Sequence, residues 1–364
     1  FQQAGHPSGA APADWTPEMI AILAGSATLS IAIQALALVI PLRRIGFRYR
    51  PLWGIRGHGL GEVSRVAKWT FGSIVVSQLG YVVTSRVLTG TTARGAAIGE
   101  SVSGLTAYSQ AFLIVMLPHG LVTVSLVTAL YTSLSVAASH GDTRQVRRYH
   151  DQGMRLPAVI ILPGVVFMAV LSPYIASTFF FNNTLEETRA IAVVLAVVSW
   201  MVIPMSWTYL NDRVFYAHQM TWMSFRLQCV TTSVATIGAV LALQVAPAAT
   251  AQVLGAGQVF AFVVSGAVGF WVLRRRLGPL GLRATARVYL SLVVPAIVTA
   301  VGLFLAIGLL LPDLGETRGV AGLVSGGLVL AAAGAIQLGV TWGVASLLGV
   351  REISTALQPV TRRL

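Results

Sequence analysis

Seven polar side chains recur along one side of the apolar stretch between Trp69 and Thr89. Plotted at the helical period, Thr70, Ser73, Ser77, Gln78, Tyr81, Thr84 and Ser85 fall within an arc of about 140°. The opposite side carries Val75, Val76, Leu79, Val82 and Val83, and only Ile74 interrupts the polar arc. Hydroxyls, phenols and amides donate and accept hydrogen bonds without ionising. Such a stripe suits the wall of a hydrophilic cavity. The same groups can instead bond helix to helix, at about 0.6 kcal/mol per contact. Arg86 follows the stripe but plots off it, so it meets an anion only if its long side chain swings round.

A second set lies between Gly104 and Ser135. Thr106, Tyr108, Ser109 and Gln110 come first, followed by Pro118-His119-Gly120. Proline lacks an N–H and crowds the preceding turn, so a bent helix is expected there. His119 has the right chemistry for a proton relay, or for bonding a carbonyl that the break sets free. We therefore nominate Gln78, Arg86, Tyr108, Gln110 and His119 as substrate-binding residues, with Pro118 and Gly120 as a structural hinge. Further on, Asp212 and Arg213 could pair locally or anchor at an interface. Gly322-xxx-Gly326 and Gly339-xxx-Gly343 are spaced for close helix packing, and a groove between the last two helices could hold a lipid tail. Asn182-Asn183-Thr184 fits a glycosylation triplet, a pattern common by chance. No zinc-ligand histidine spacing, Walker glycine loop or embedded carboxylate pair is present, so neither catalytic nor metal-binding residues are expected, and no cofactor is implied.

The elements that position these residues follow from the apolar runs. The 364 residues are 55% hydrophobic and 10% charged, too few charges to cover a water-facing surface. Nine segments, roughly 19–42, 69–89, 104–135, 156–179, 190–211, 227–246, 250–273, 288–311 and 320–349, are long enough to cross a bilayer. The fold class is thus all-α, a polytopic transmembrane helix bundle of about nine spans. Three parts are expected: 1–68, an outer segment, first span and basic loop; 69–287, a six-helix lobe; and 288–364, two further helices and a basic tail.

The net charge of +13 raises nucleic acid as a partner, but the arginines lie in short loops between apolar runs and not in a patch. Cationic loops alternate with neutral ones. Arg43, Arg44, Arg48, Arg50, Arg56, Arg65 and Lys68 follow the first segment, and Arg144, Arg147, Arg148 and Arg155 the third. Arg213 and Arg226 follow the fifth, Arg274, Arg275, Arg276, Arg283 and Arg287 the seventh, and Arg351, Arg362 and Arg363 the ninth. Only Arg86, Arg94, Arg189 and Arg318, of the 25 cationic residues, fall on the other side. That side also carries Asp14, Glu18, Glu100, Glu186, Glu187, Asp313 and Glu316. Cationic loops stay in the cytoplasm, so an outer N-terminus and an inner C-terminus are expected in a multi-pass cytoplasmic (inner) membrane protein. The single cysteine, Cys229, reads as a small packed residue. Opening on Phe1-Gln2-Gln3, the sequence reads as a chain whose start lies elsewhere.

Several stretches resemble the MurJ/MviN family, lipid II flippases of the multidrug/oligosaccharidyl-lipid/polysaccharide exporter superfamily. Pro41-Leu42-Arg43-Arg44-Ile45-Gly46-Phe47-Arg48-Tyr49-Arg50-Pro51 is similar to the basic segment after that family's sixth helix. Leu117-Pro118-His119-Gly120, with Val124-Ser125 and Leu134-Ser135, is similar to its eighth helix, and Arg213-Val214-Phe215-Tyr216-Ala217-His218-Gln219 to the run after its tenth. The resemblance implies the C-terminal lobe of such an exporter plus two extra helices, working by alternating access with no covalent step. It implies as cargo lipid II, the undecaprenyl-diphosphate-linked disaccharide pentapeptide, or another polyprenyl-diphosphate-linked glycan. Membrane lipids and cell-wall synthesis proteins are further partners it suggests. Its alternatives are an exporter of another polyprenyl-linked sugar or drug, and a non-transporting scaffold for cell-wall synthesis. Leu113 and Met116 stand where the family often has an arginine and a glutamate. The sodium-binding aspartate that some members carry in the seventh helix has no counterpart, because no acid lies between Lys68 and Gly99.

Overall fold

The structure is a computed structural model that describes residues 16–44, 46, 60–98, 102, 104–312, 319–350 and 352–353. Arg48, Arg50, Arg56, Arg351, Arg362, Arg363, Asp14, Glu100, Asp313, Glu316 and Arg318 lie outside the described residues, as do the side chain of Arg65 and part of the 41–51 motif. Among the described residues there are helices and turns but no strand, and nine helical stretches are long and apolar enough to cross a membrane. The protein is a multi-pass membrane protein.

The chain divides into residues 1–60 and 61–364. In the first unit, helix α1 (Pro17–Arg44) opens on Thr16, whose hydroxyl accepts the Met19 N–H at 3.3 Å, and ends on Arg43 and Arg44. None of its residues is buried. Its length and composition are those of a membrane span.

The second unit begins with α2 (Leu60–Ala97) and α3 (Gly104–Pro118). From Pro118 the third span does not stop: it widens into a π-helix, His119–Val124, and resumes as α4 (Ser125–Ser139). Gly141, at φ +70°, turns the chain into α5 (Thr143–Arg155), which Asp142 caps by accepting the Gln145 N–H at 2.9 Å. The α5 sequence alternates charge with apolar residues at helical spacing, and it buries Val146, His150, Gly153 and Met154 on one face.

The apolar segment expected at 156–179 is divided into α6 (Ala158–Val170) and α7 (Ser172–Phe179). Leu171 leaves helical geometry because Pro173, in the first turn of α7, cannot continue the α6 ladder. A capping box of Thr184 and Glu187 starts α8 (Leu185–Val198). Thr184, the last residue of the glycosylation triplet, thus commits its hydroxyl to a helix cap. Pro204 has no N–H for the Trp200 carbonyl, and just before it the fifth span tightens to a 3₁₀ turn, Ser199–Met201, ahead of α9 (Val202–Ala217). Then follow α10 (Thr221–Leu241), α11 (Pro247–Leu277), α12 (Leu282–Leu310) and α13 (Gly319–Leu347).

The main core joins Leu88 of α2 and Ala111 and Val115 of α3 to Val165 of α6, Leu195 of α8, Leu254 of α11 and Ala296 of α12. A second core, at the arginine-rich end, packs Leu134, Val146, Phe215, Leu227 and Leu273. Buried Asn211 ties three elements together there. Its amide donates to the Gly266 carbonyl at 3.3 Å, and its carbonyl lies 3.2 Å from Nε2 of the fully buried His150.

Glycine marks the closest helix crossings. A Cβ on Gly238 of α10 would lie 2.9 Å from the Gly257 Cα of α11, and the reverse distance is 3.0 Å. Of the two sequence motifs in the last span, Gly326 meets Thr178 of α7, so its smallness is required. Gly339 and Gly343 depart from the expected close packing: among the described residues no neighbouring atom lies within 4 Å of where a Cβ would stand.

Candidate functional site

A cavity of about 440 Å³ opens among α2, α3, α10 and α11. The α2 contribution is Ser77, Tyr81 and Thr84, at i, i+4 and i+7, so one face of the polar stripe lines the space. From α3 come Tyr108, Ser109, Phe112 and Leu113, with the Tyr108 and Phe112 rings stacked at 6.2 Å between centroids. Helix α10 supplies Gln228, Thr231 and Thr232, and α11 supplies Gln258 and Phe262. The wall therefore offers hydroxyl, phenol and amide groups beside aromatic faces, with no charged side chain. Such a surface complements the hydroxyls and amides of a sugar or peptide and offers nothing to neutralise an anion.

Small residues bring α2 and α10 together along this wall. A Cβ on Gly72 would lie 2.9 Å from the Phe225 ring, and one on Gly80 would lie 2.9 Å from Thr232 Cγ2. Trp69 packs on Phe225 at 5.2 Å. At the far end of α2, Arg94 donates to the Leu243 carbonyl at 2.9 Å and to Thr91 at 3.2 Å, which commits its guanidinium to fixing the helix.

Of the residues nominated from sequence, only Tyr108 lines this cavity, where it is 7% exposed. Gln78 and Arg86 are exposed and lie off its wall. The reason is geometric: an arc of ~140° is wider than the face one cavity can use, and Gln78 stands ~100° round the helix from Ser77. Gln110 is half-buried and accepts the Asn183 amide at 3.3 Å, tying α3 to the turn before α8. His119 is buried and does not line the cavity; it lies edge-on to Tyr209 at 5.7 Å, with no hydrogen-bond partner for Nδ1 among the described residues. The wall residues Gln228, Thr231, Thr232 and Gln258 were not singled out from sequence. Their signal was present, since Gln228, Thr231 and Thr232 repeat the spacing seen in α2.

Pro118 closes α3 and the π-helix begins at the next residue. A π segment holds one more residue per turn and so re-aims the helix beyond it. Gly120 is exposed, with nothing within 4 Å of its Cβ position, so no contact there demands glycine. The segment is held by Thr123, buried, whose hydroxyl lies 2.8 Å from the Ser206 hydroxyl of α9. Thr123→Val is expected to lower stability by about 0.6–1.7 kcal/mol, measured by reversible unfolding in mixed micelles. Asp212 and Arg213 do not form an ion pair among the described residues. Arg213 instead sits among the rings of Tyr131, Tyr209 and Tyr216, at 5.5, 4.6 and 5.9 Å from their centroids.

Comparison with known proteins gives this arrangement a family. The lipid II flippase MurJ family model matches residues 9–318, which takes in the whole cavity. The chain belongs to the MurJ family. A solved structure of lipid II flippase MurJ in an inward closed conformation is also similar, with a TM-score of 0.54 and 16% identity. The similarity covers 79% of this chain and 56% of that one, so the chain spans little more than half the length of that MurJ. At this identity the likeness speaks to the fold alone, and the MurJ fold agrees with the all-α bundle expected from sequence.

Proposed function

We propose that this chain serves as part of a flippase that moves lipid II outward across the cytoplasmic membrane by alternating access. In this reading the cavity among α2, α3, α10 and α11 receives the sugar hydroxyls and amide groups of the cargo's headgroup. The observation that carries it is the family match running through the cavity, together with a wall that sets uncharged hydroxyl, phenol and amide groups among apolar and aromatic ones. Tyr108, Ser77, Gln228 and Gln258 are the side chains assigned to the headgroup. The uncharged wall leaves the diphosphate to cationic groups elsewhere, and Arg86 is close enough in sequence to be tested for that role. Pro118 and the π-helix give the third span a place to bend as the cavity changes access. The arginine-rich loops support an inner face at α5 and the α11–α12 turn.

Binding separates this reading from its rivals. The chain in detergent micelles, titrated with lipid II, with undecaprenyl diphosphate and with a different polyprenyl-linked glycan, is expected to retain lipid II most tightly in native mass spectrometry. Equal retention of all three would mean that the cavity does not select this headgroup. Cysteines placed between Arg144 and Arg155 are expected to react only with reagents that enter the cytoplasm; labelling from outside overturns the orientation.

A further inference from the structure

A second, larger pocket lies at the arginine-rich end and shares no residue with the cavity. About 600 Å³ in volume, it is lined by Arg144, Arg147, Arg148 and Arg155 from one face of α5, with Asp151 and Glu352. Its charges are unequally compensated. Arg155 takes up both carboxylates: its guanidinium lies 3.5 Å from Glu352 and 3.9 Å from Asp151. It also donates to Thr285 at 3.2 Å and to the Gly281 carbonyl at 3.3 Å, while Asp151 accepts the Gly281 N–H at 3.2 Å. The remaining three arginines form no ion pair among the described residues.

Those three arginines project from a helix that is itself held in place. The opposite face of α5 is buried through Val146, His150 and Met154, so the helix that carries them is fixed to the bundle. Arg147 donates to the Thr143 carbonyl at 3.4 Å and packs beside Gly278, whose φ of +87° ends α11. A concave wall with three guanidiniums that no carboxylate pairs among the described residues concentrates positive potential, and the guanidinium fork matches phosphate oxygens. The pocket sits where the fourth apolar helical stretch begins, the seventh ends and the eighth starts.

We propose that this pocket is a binding site for a phosphate-bearing anion, recognised by Arg144, Arg147 and Arg148, either a phospholipid headgroup or a soluble phosphoanion. The site is independent of the cargo, so its test uses no lipid II. In native mass spectrometry the chain is titrated with cardiolipin, with phosphatidylcholine as the zwitterionic reference; in calorimetry it is titrated with inorganic pyrophosphate. The triple variant Arg144→Gln/Arg147→Gln/Arg148→Gln is expected to weaken anion binding by about tenfold or more. A control variant, Arg274→Gln/Arg275→Gln/Arg276→Gln, removes equal charge from the same end outside the pocket and is expected to change binding by less than about twofold. Glu352→Gln, which removes a countercharge, is expected to tighten binding by about threefold, a gain that unfolding cannot produce. Loss confined to cardiolipin identifies the lipid, loss confined to pyrophosphate the soluble anion, and loss of both a general phosphate site. Equal effects of the two triple variants, or binding of neither probe by the unsubstituted chain, overturn the proposal.

Discussion

Replacing Gln228 and Gln258 together with leucine is expected to lower affinity for lipid II about a hundredfold while the chain still folds. Both amides stand on the cavity wall, on adjacent helices. Each offers a donor and an acceptor to a bound sugar or peptide group, and leucine offers neither. A ligand group that finds no partner there bears its full desolvation cost, so the loss per position exceeds the net worth of one hydrogen bond. The fold tolerates the change because little depends on these amides internally. Gln228 donates only to Thr232 of its own helix, at 3.1 Å, and a leucine in an apolar span costs nothing to bury. Gln78→Leu makes the decisive comparison. It removes the same group from the polar stripe of α2, but from outside the cavity, and is expected to shift affinity by no more than about twofold. Growth of cells depleted of their own copy should follow the same order. If Gln78→Leu proved the more damaging variant, the headgroup would sit on the exposed side of α2.

The contrast between Gln78 and Gln228 also shows where sequence reading stops. Apolar runs as long as these rarely occur outside a bilayer, so the spans and the helical class were legible from composition and periodicity. The polar side of α2 was legible for the same reason, because 3.6-residue spacing sorts side chains by face. Which part of that side meets a cavity depends on where α10 and α11 lie, and nothing in the α2 sequence records it. Pro118 announced a disturbance, and the helix accommodates it by gaining a residue per turn, a response fixed by the Thr123–Ser206 contact with another span. The arginines of α5 were counted for topology, yet their convergence on one pocket follows from the amphipathic face that pins the helix. Glycine was the least legible residue. The regularly spaced pair Gly339 and Gly343 meets open space, while Gly238 and Gly257, in different helices, meet backbone against backbone.

That crossing carries the largest expected effect on stability. Gly257→Leu is expected to cost about 3 kcal/mol or more, read as a fall in the unfolding midpoint in mixed micelles. The first side-chain atom at position 257 would already lie 3.0 Å from the Gly238 Cα and 3.5 Å from its carbonyl carbon. Those are backbone atoms, so no rotamer change on α10 can make room, and the helices must separate. Lipid gives no hydrophobic reward for helix association, so close packing is what holds this pair, and separation removes it. The cavity loses shape at the same time, because Gln258 is the next residue and Thr231, Thr232 and Ala235 lie within two turns of Gly238. Alanine at each position gives a sharper test. Gly238→Ala and Gly257→Ala should each destabilise, but the double variant should cost less than the two together, since the first substitution has already parted the helices that the second would part. Gly339→Ala, with no atom near its Cβ position, should gain up to about 1 kcal/mol from helix propensity. Additive losses at 238 and 257 would mean that each glycine acts through its own helix and not through the crossing.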